Sequence, residues 1–148
     1  MADELALTPI QAQVLMANRA FYDAFEALDM QAMDDCWEHS DRVACVHPGG
    51  PWLAGWEEVR AGWDAVLTHT RYIEFEVRDA RVHVADPVAW VTCLEVVSSA
   101  GPSGRAVTEL TATNAFVLGP SGWLLVLHHA APLVRRMAPP ETFDPAEG

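Results

Sequence analysis

Four polar side chains interrupt apolar runs in this sequence, and each is of a type that can hold or move a proton. Residues 89, 91, 93, 95 and 97 read Ala, Val, Cys, Glu and Val, so a strand here carries Glu95 on an apolar face. A carboxylate in that position must be paired, or its pKa must rise. Residues 110, 112, 114, 116 and 118 read Leu, Ala, Asn, Phe and Leu, which makes Asn114 the exception in a second run. In "WLLVLHHA" strict alternation groups Trp123, Leu125, Leu127 and His129, and sends His128 to the opposite face. Val43, Cys45 and His47 share a face in "RVACVHP".

Two readings of these groups compete. In one they satisfy each other inside a core or across an interface. In the other Glu95, Asn114, His129 and His47 converge on an internal cavity, since pockets are mostly apolar with a few placed polar groups. The cavity reading gives His129 the acid/base role and lets Glu95 orient or charge it. Asn114 would donate a hydrogen bond to a developing enolate oxygen, and His47 would sit at the mouth. Tyr22, Trp37, Trp56 and Trp63 are candidates for aromatic walls. The faces assigned to His128 and His129 rest on alternation, so one bulge would exchange them.

Other chemistries lack their residues. There is no HExxH, His-x-His or CxxC, and adjacent histidines on one strand point apart, so no metal is expected. No GxSxG occurs, and the absence of lysine removes Schiff-base catalysis. Cys36, Cys45 and Cys93 lie in apolar stretches and read as reduced, buried thiols. No cofactor is implied. What remains is proton transfer in a dry pocket, or binding without chemistry.

The elements that must position these groups follow from periodicity. Thr8-Pro9 reads as a helix start, after which Ile10, Val14, Ala17, Phe21, Phe25 and Leu28 form one apolar stripe. Asp29 can cap a short second helix, with Met33 and Trp37 on one face. "RVACVHP" is a first strand closed by "PGGP", and Trp56, Val59, Trp63, Val66 and Leu67 mark a third helix. Four strands follow, beginning "YIEFEVRDARVHVAD", "VAWVTCLEVVSS", "RAVTELTATNAFVL" and "WLLVLHHA", joined by short turns as in an antiparallel meander. In the first of the four, Ile73, Phe75 and Val77 face inward. Helices first and sheet later predict an α+β domain of three helices and about five strands over residues 8–134. The proline-rich, acidic stretch 135–148 is expected to fray. Helices cover one face of a sheet, yet "VAWVTCLEVV" and "WLLVLHHA" are apolar on both, which predicts a homodimer built sheet to sheet.

Composition bounds the partners. The net charge is -12 and all nine basic residues are arginines, so there is no basic stripe for nucleic acid or an anionic membrane. The acidic start "MADELALTPIQ" is unlike a secretory signal, and no apolar run reaches membrane-spanning length, which predicts a cytoplasmic protein.

Taken in order, "FYDAFEALDMQAMDDCW", "VHPGGPWLAGWEEV", "AWVTCLE", "ATNAFV" and "GWLLVLHHAAP" resemble the SnoaL-like branch of the nuclear transport factor 2-like superfamily. The final strand is also similar to that of the calcium/calmodulin-dependent kinase II association domain. The resemblance covers about residues 10 to 134 and implies a cone-shaped, barrel-like curved sheet wrapped around the long helix. It further implies a pocket at one end, a small-molecule ligand, and dimers through the sheet. His47, Glu95, Asn114 and His129 stand where this branch carries recurring polar residues. Ala131 replaces a serine common in its final motif. The implied activity is a cofactor-independent isomerase, dehydratase or polyketide cyclase acting on an apolar or aromatic substrate. The same superfamily also contains non-catalytic binding and assembly modules.

Overall fold

A computed structural model describes residues 6–134 of the chain; the stretch 135–148, expected to fray, lies outside the described residues. The first helix, α1 (Pro9–Glu26), starts where the sequence says it must. The Thr8 side chain accepts from the Gln11 amide, the Gln11 side chain accepts from the Thr8 amide, and Pro9 needs no amide partner. Asp29 accepts from the Ala32 amide and opens α2 (Met30–Cys36). Of the predicted α1 stripe, Val14, Phe21 and Phe25 are buried, whereas Ile10 is exposed. Asn18 and Tyr22 join that buried stripe.

A short strand, β1 (Ala44–Val46), turns through Gly49, whose positive φ of 71° suits glycine, into β2 (Trp52–Ala54). The α3 helix (Trp56–His69) follows. Then come β3 (Tyr72–Ala85), β4 (Val88–Gly101), β5 (Gly104–Gly119) and β6 (Gly122–Pro132). The sheet has six strands in the order β2-β1-β6-β5-β4-β3, one more than the count read from the sequence. The added strand is β2, too short at three residues to show an alternation. The sheet is not purely antiparallel either: β1 runs parallel to β6, with Cys45 opposite His128. Nor is it a closed barrel, because β2 and β3 remain as edges.

The α1 and α3 helices cover the inner face of the sheet. Phe21, Phe25 and Trp63 pack edge to face at centroid separations of 5.0–6.3 Å, a preferred geometry for aromatic rings. Val91, Phe116 and Leu125 meet them from the sheet. Burying side chains of this size is worth about 1.5–3 kcal/mol each. As expected, Ile73, Phe75 and Val77 of β3 join this core. Among the described residues no helix is long and apolar enough to cross a membrane.

One irregularity sets which residues face inward. Ala115 pairs with Leu127 but Phe116 pairs with Leu125, leaving Val126 as the extra residue of a bulge in β6. A bulge adds one residue and reverses the alternation beyond it. Trp123 and Leu125 are buried before it; His128 and Ala130 are buried after it.

Candidate functional site

The bulge corrects the assignment of the two histidines. His128 is 2 % exposed and points inward, whereas His129 lies exposed on the outer face. Beside the bulge, the Glu38 amide donates to the Leu125 carbonyl at 3.0 Å, so the segment after α2 pairs with β6 there.

Inside, the strands deliver their polar exceptions to one place. Glu95 and Asn114 are both buried, as their strand faces predicted. The Tyr22 hydroxyl donates to Glu95 Oε2 at 2.5 Å. Asn114 Nδ2 donates to the Tyr22 hydroxyl at 3.1 Å and to Asn18 Oδ1 at 2.8 Å. Its Oδ1 lies 2.6 Å from His128 Nδ1. A continuous buried chain therefore runs Glu95–Tyr22–Asn114–His128, with Asn18 attached at its third member. Chains of this kind polarise one another and hold side chains in fixed rotamers.

Both ends of the chain open on the same cavity, of about 240 Å³. Its apolar wall comes from Phe25, Val66, Ile73, Phe75, Val97 and Leu110; its polar groups include Glu95, His128, His47, Ser99 and Thr108. Burial pushes the Glu95 carboxyl up to about 7, against a smaller downward pull from the Tyr22 hydroxyl. Burial, with the neighbouring His47 and His129, pushes His128 down to about 3, so it is neutral at physiological pH. His47 is also lowered by burial; its ring stands edge-on to Trp63 at 4.6 Å and 6.5 Å from the His128 ring. Cys45 and Cys93, raised by burial to about 12 and about 11, stay protonated thiols.

Of the residues singled out in the sequence, Glu95 and His47 line the cavity. Tyr22 and Asn114 stand behind it, bonded to groups that do. The amide of Asn114 spends both hydrogens on Asn18 and Tyr22, so it has none for a substrate oxygen. Trp63 backs the two histidines from within the core, and Trp37 is buried beside it. Trp56 instead stacks on His39 at 4.2 Å and borders a separate cleft with Glu57 and Glu58. Trp37 and Trp63 are thus core, not cavity wall. Sequence reasoning passed over Asn18, though it is a polar residue four positions after Val14 on the buried stripe of α1. It also passed over Ser99 and Thr108, which look like ordinary strand residues. Among the described residues no group of three or more His, Cys, Asp or Glu side chains is arranged to hold a metal ion.

Comparison with known proteins supplies a context for this site. A family model described as a SnoaL-like domain matches residues 14–135. A proposed dehydratase of the NTF2-like family from Streptomyces avermitilis is 36 % identical, with a TM-score of 0.79 over 84 % of this chain and 96 % of that one. A proposed calcium/calmodulin-dependent protein kinase type II association domain from Thiobacillus denitrificans is 31 % identical, with a TM-score of 0.71 over 80 % and 93 %. F-box protein SKIP8 of Arabidopsis thaliana is 27 % identical over 119 residues, 80 % of this chain. The chain spans about half, 48 %, of the length of that curated relative.

Proposed function

The chain belongs to the SnoaL-like family of NTF2-like domains, and on that premise we propose that it is a cofactor-independent enzyme moving a proton on a small, neutral, largely apolar substrate. One observation carries this reading: a carboxyl whose pKa is pushed up to about 7 shares an apolar cavity with a neutral imidazole. An acid/base group works best when its pKa lies near the operating pH, and Glu95 meets that condition where His128 does not. The roles first considered for histidine and glutamate are therefore exchanged. Glu95 accepts and returns the proton, and His128 receives a hydrogen bond from the substrate.

In a dehydration, ionised Glu95 takes a proton from the carbon next to a carbonyl, the carbon–oxygen bond of a β-hydroxyl breaks, and the leaving oxygen takes that proton as water. In an isomerisation the proton returns to a different carbon. Either course leaves Glu95 as it began and needs no co-reactant. Acid/base assistance of this kind is worth about 2.7–5.5 kcal/mol of barrier. Among the described residues lining the cavity none is a lysine or arginine, which favours an uncharged substrate over a carboxylate or phosphate.

The direct test is solvent-deuterium incorporation into a panel of small β-hydroxy and enolisable aromatic ketones, followed by NMR. Exchange by the wild-type protein, lost at least about a hundredfold in Glu95→Gln, supports the reading. No exchange across the panel, or full exchange in the variant, counts against it.

Assembly is a second reading, favoured by the similarity to the kinase association domain and by the outer sheet face. Val88 and Trp90 are exposed there, with Leu94 and Val96 half-buried beside them on β4. A second copy of the chain seated on this face would make a homodimer through the sheet, and this is compatible with catalysis on the inner side.

A further inference from the structure

The direction of every hydrogen bond in the buried chain is fixed from one end. An ionised carboxylate only accepts, so Tyr22 must give its single hydrogen to Glu95 Oε2. The Tyr22 oxygen can then only accept from Asn114, which requires Nδ2 of the amide on that side. The same nitrogen meets Asn18, whose Oδ1 accepts its second hydrogen at 2.8 Å. Asn114 is left presenting Oδ1 to His128, so the neutral ring must carry its proton on Nδ1. The other ring nitrogen, Nε2, has no hydrogen-bond partner among the described residues, and the His128 side chain lines the cavity.

We infer that Asn18 is a positioning residue: by accepting from Asn114 it blocks the amide flip and holds His128 in the Nδ1–H tautomer, with Nε2 bare toward the cavity. Tyr22 alone does not secure this. A protonated Glu95 could donate to the Tyr22 oxygen, and Tyr22 could then donate to a flipped Asn114. Asn18 opposes that reversal, because a flipped amide would set two carbonyl oxygens against each other unless Asn18 turned as well. The turned arrangement would put the proton on Nε2 and convert the cavity's acceptor into a donor. Asn18 thus selects ligands that offer a hydroxyl or other donor to His128. This consequence rests on the cavity being the substrate site; the tautomer itself does not.

The test is long-range proton–nitrogen NMR of the full chain carrying 15N-histidine, without substrate, at about pH 5.5, where Glu95 is protonated and His128 is neutral. Wild-type His128 should show its proton on Nδ1 and a bare Nε2. Asn18→Asp keeps an accepting oxygen and should keep that pattern. Asn18→Leu should raise the Nε2–H form relative to Nδ1–H by about tenfold, the equilibrium worth of one net hydrogen bond. An Nε2–H tautomer in the wild type, its release in Asn18→Asp, or an unchanged ratio in a folded Asn18→Leu would each overturn the inference. If Asn18→Leu does not fold, the wild-type and Asn18→Asp spectra decide. The readout involves no turnover, so failure here leaves the proton-transfer reading intact. Conversely, a chain without isomerase or dehydratase activity can still show the locked tautomer.

Discussion

His128 Nδ1 lies 2.6 Å from Asn114 Oδ1 in the interior, while its neighbour His129 is exposed on the other side of the same strand. The two therefore differ in what their loss should cost. His129→Ala should stay within about 0.5 kcal/mol of wild type, as for most surface changes. His128→Leu leaves the Asn114 carbonyl buried without a donor and should cost about 1–3 kcal/mol. Urea denaturation of the two variants checks the contrast, and equal effects would contradict the bulge.

Stability against pH should expose two opposed titrations. The raised Glu95 carboxyl binds its proton more tightly in the folded state, so its contribution is complete below about pH 4.5 and is lost as pH rises through about 7. His128, lowered from 6.5 to about 3, contributes above pH 6.5 and loses that contribution as pH falls toward 3. Between about pH 4.5 and 6.5 the slopes have opposite sign and nearly cancel. Glu95→Gln should unmask a stability that climbs with pH across that window, relative to wild type. Denaturation midpoints at pH 4.5, 5.5 and 6.5 measure it.

The proposed proton transfer requires the ionised form of Glu95. The rate at limiting substrate should therefore rise with pH and level off above about 7. A profile still flat down to pH 5 would remove Glu95 from the acid/base role.

Tyr22→Phe removes the hydroxyl that stabilises the Glu95 carboxylate. Charge-assisted hydrogen bonds contribute about 1.5–3 kcal/mol, so the ascending limb should move up by roughly one to two pH units. Its position in the variant's rate profile is the measurement. A limb that stays put means that Tyr22 does not tune the carboxyl.

For the outer face, sedimentation equilibrium should give twice the chain mass for wild type. Trp90→Glu with Leu94→Glu should give the monomer with an unchanged far-ultraviolet spectrum. Charged side chains facing each other across such a patch cannot be buried without loss of pairing. A monomeric wild-type protein would end the sheet-to-sheet proposal.

Much of the architecture was written locally. The Thr8-Pro9 helix start, the Asp29 cap and the alternation of Ile73, Phe75 and Val77 depend on residues a few positions apart, and the structure keeps each. The inward faces of Glu95 and Asn114 were legible for the same reason: their strands run without a bulge through those positions. Trp56 was misjudged as a cavity wall because helical spacing states which side is covered, not by what.

The sequence alone determined the α+β class, the carboxylate on an apolar strand face and the absence of lysine. Periodicity and composition carry that much, because the pleat and the helical turn are short-range rules. Tertiary structure decided which histidine faces the cavity, that burial raises the Glu95 carboxyl to about 7 while lowering His128, and that Asn18 joins the buried hydrogen-bonded chain. Those outcomes come from contacts between segments far apart in the chain. Glu38 meets the β6 bulge, Asn18 reaches Asn114 across 96 positions, and burial by α1 against β4 raises the carboxyl. A bulge shifts one residue and reverses a strand's faces, and no alternation pattern in that strand records it.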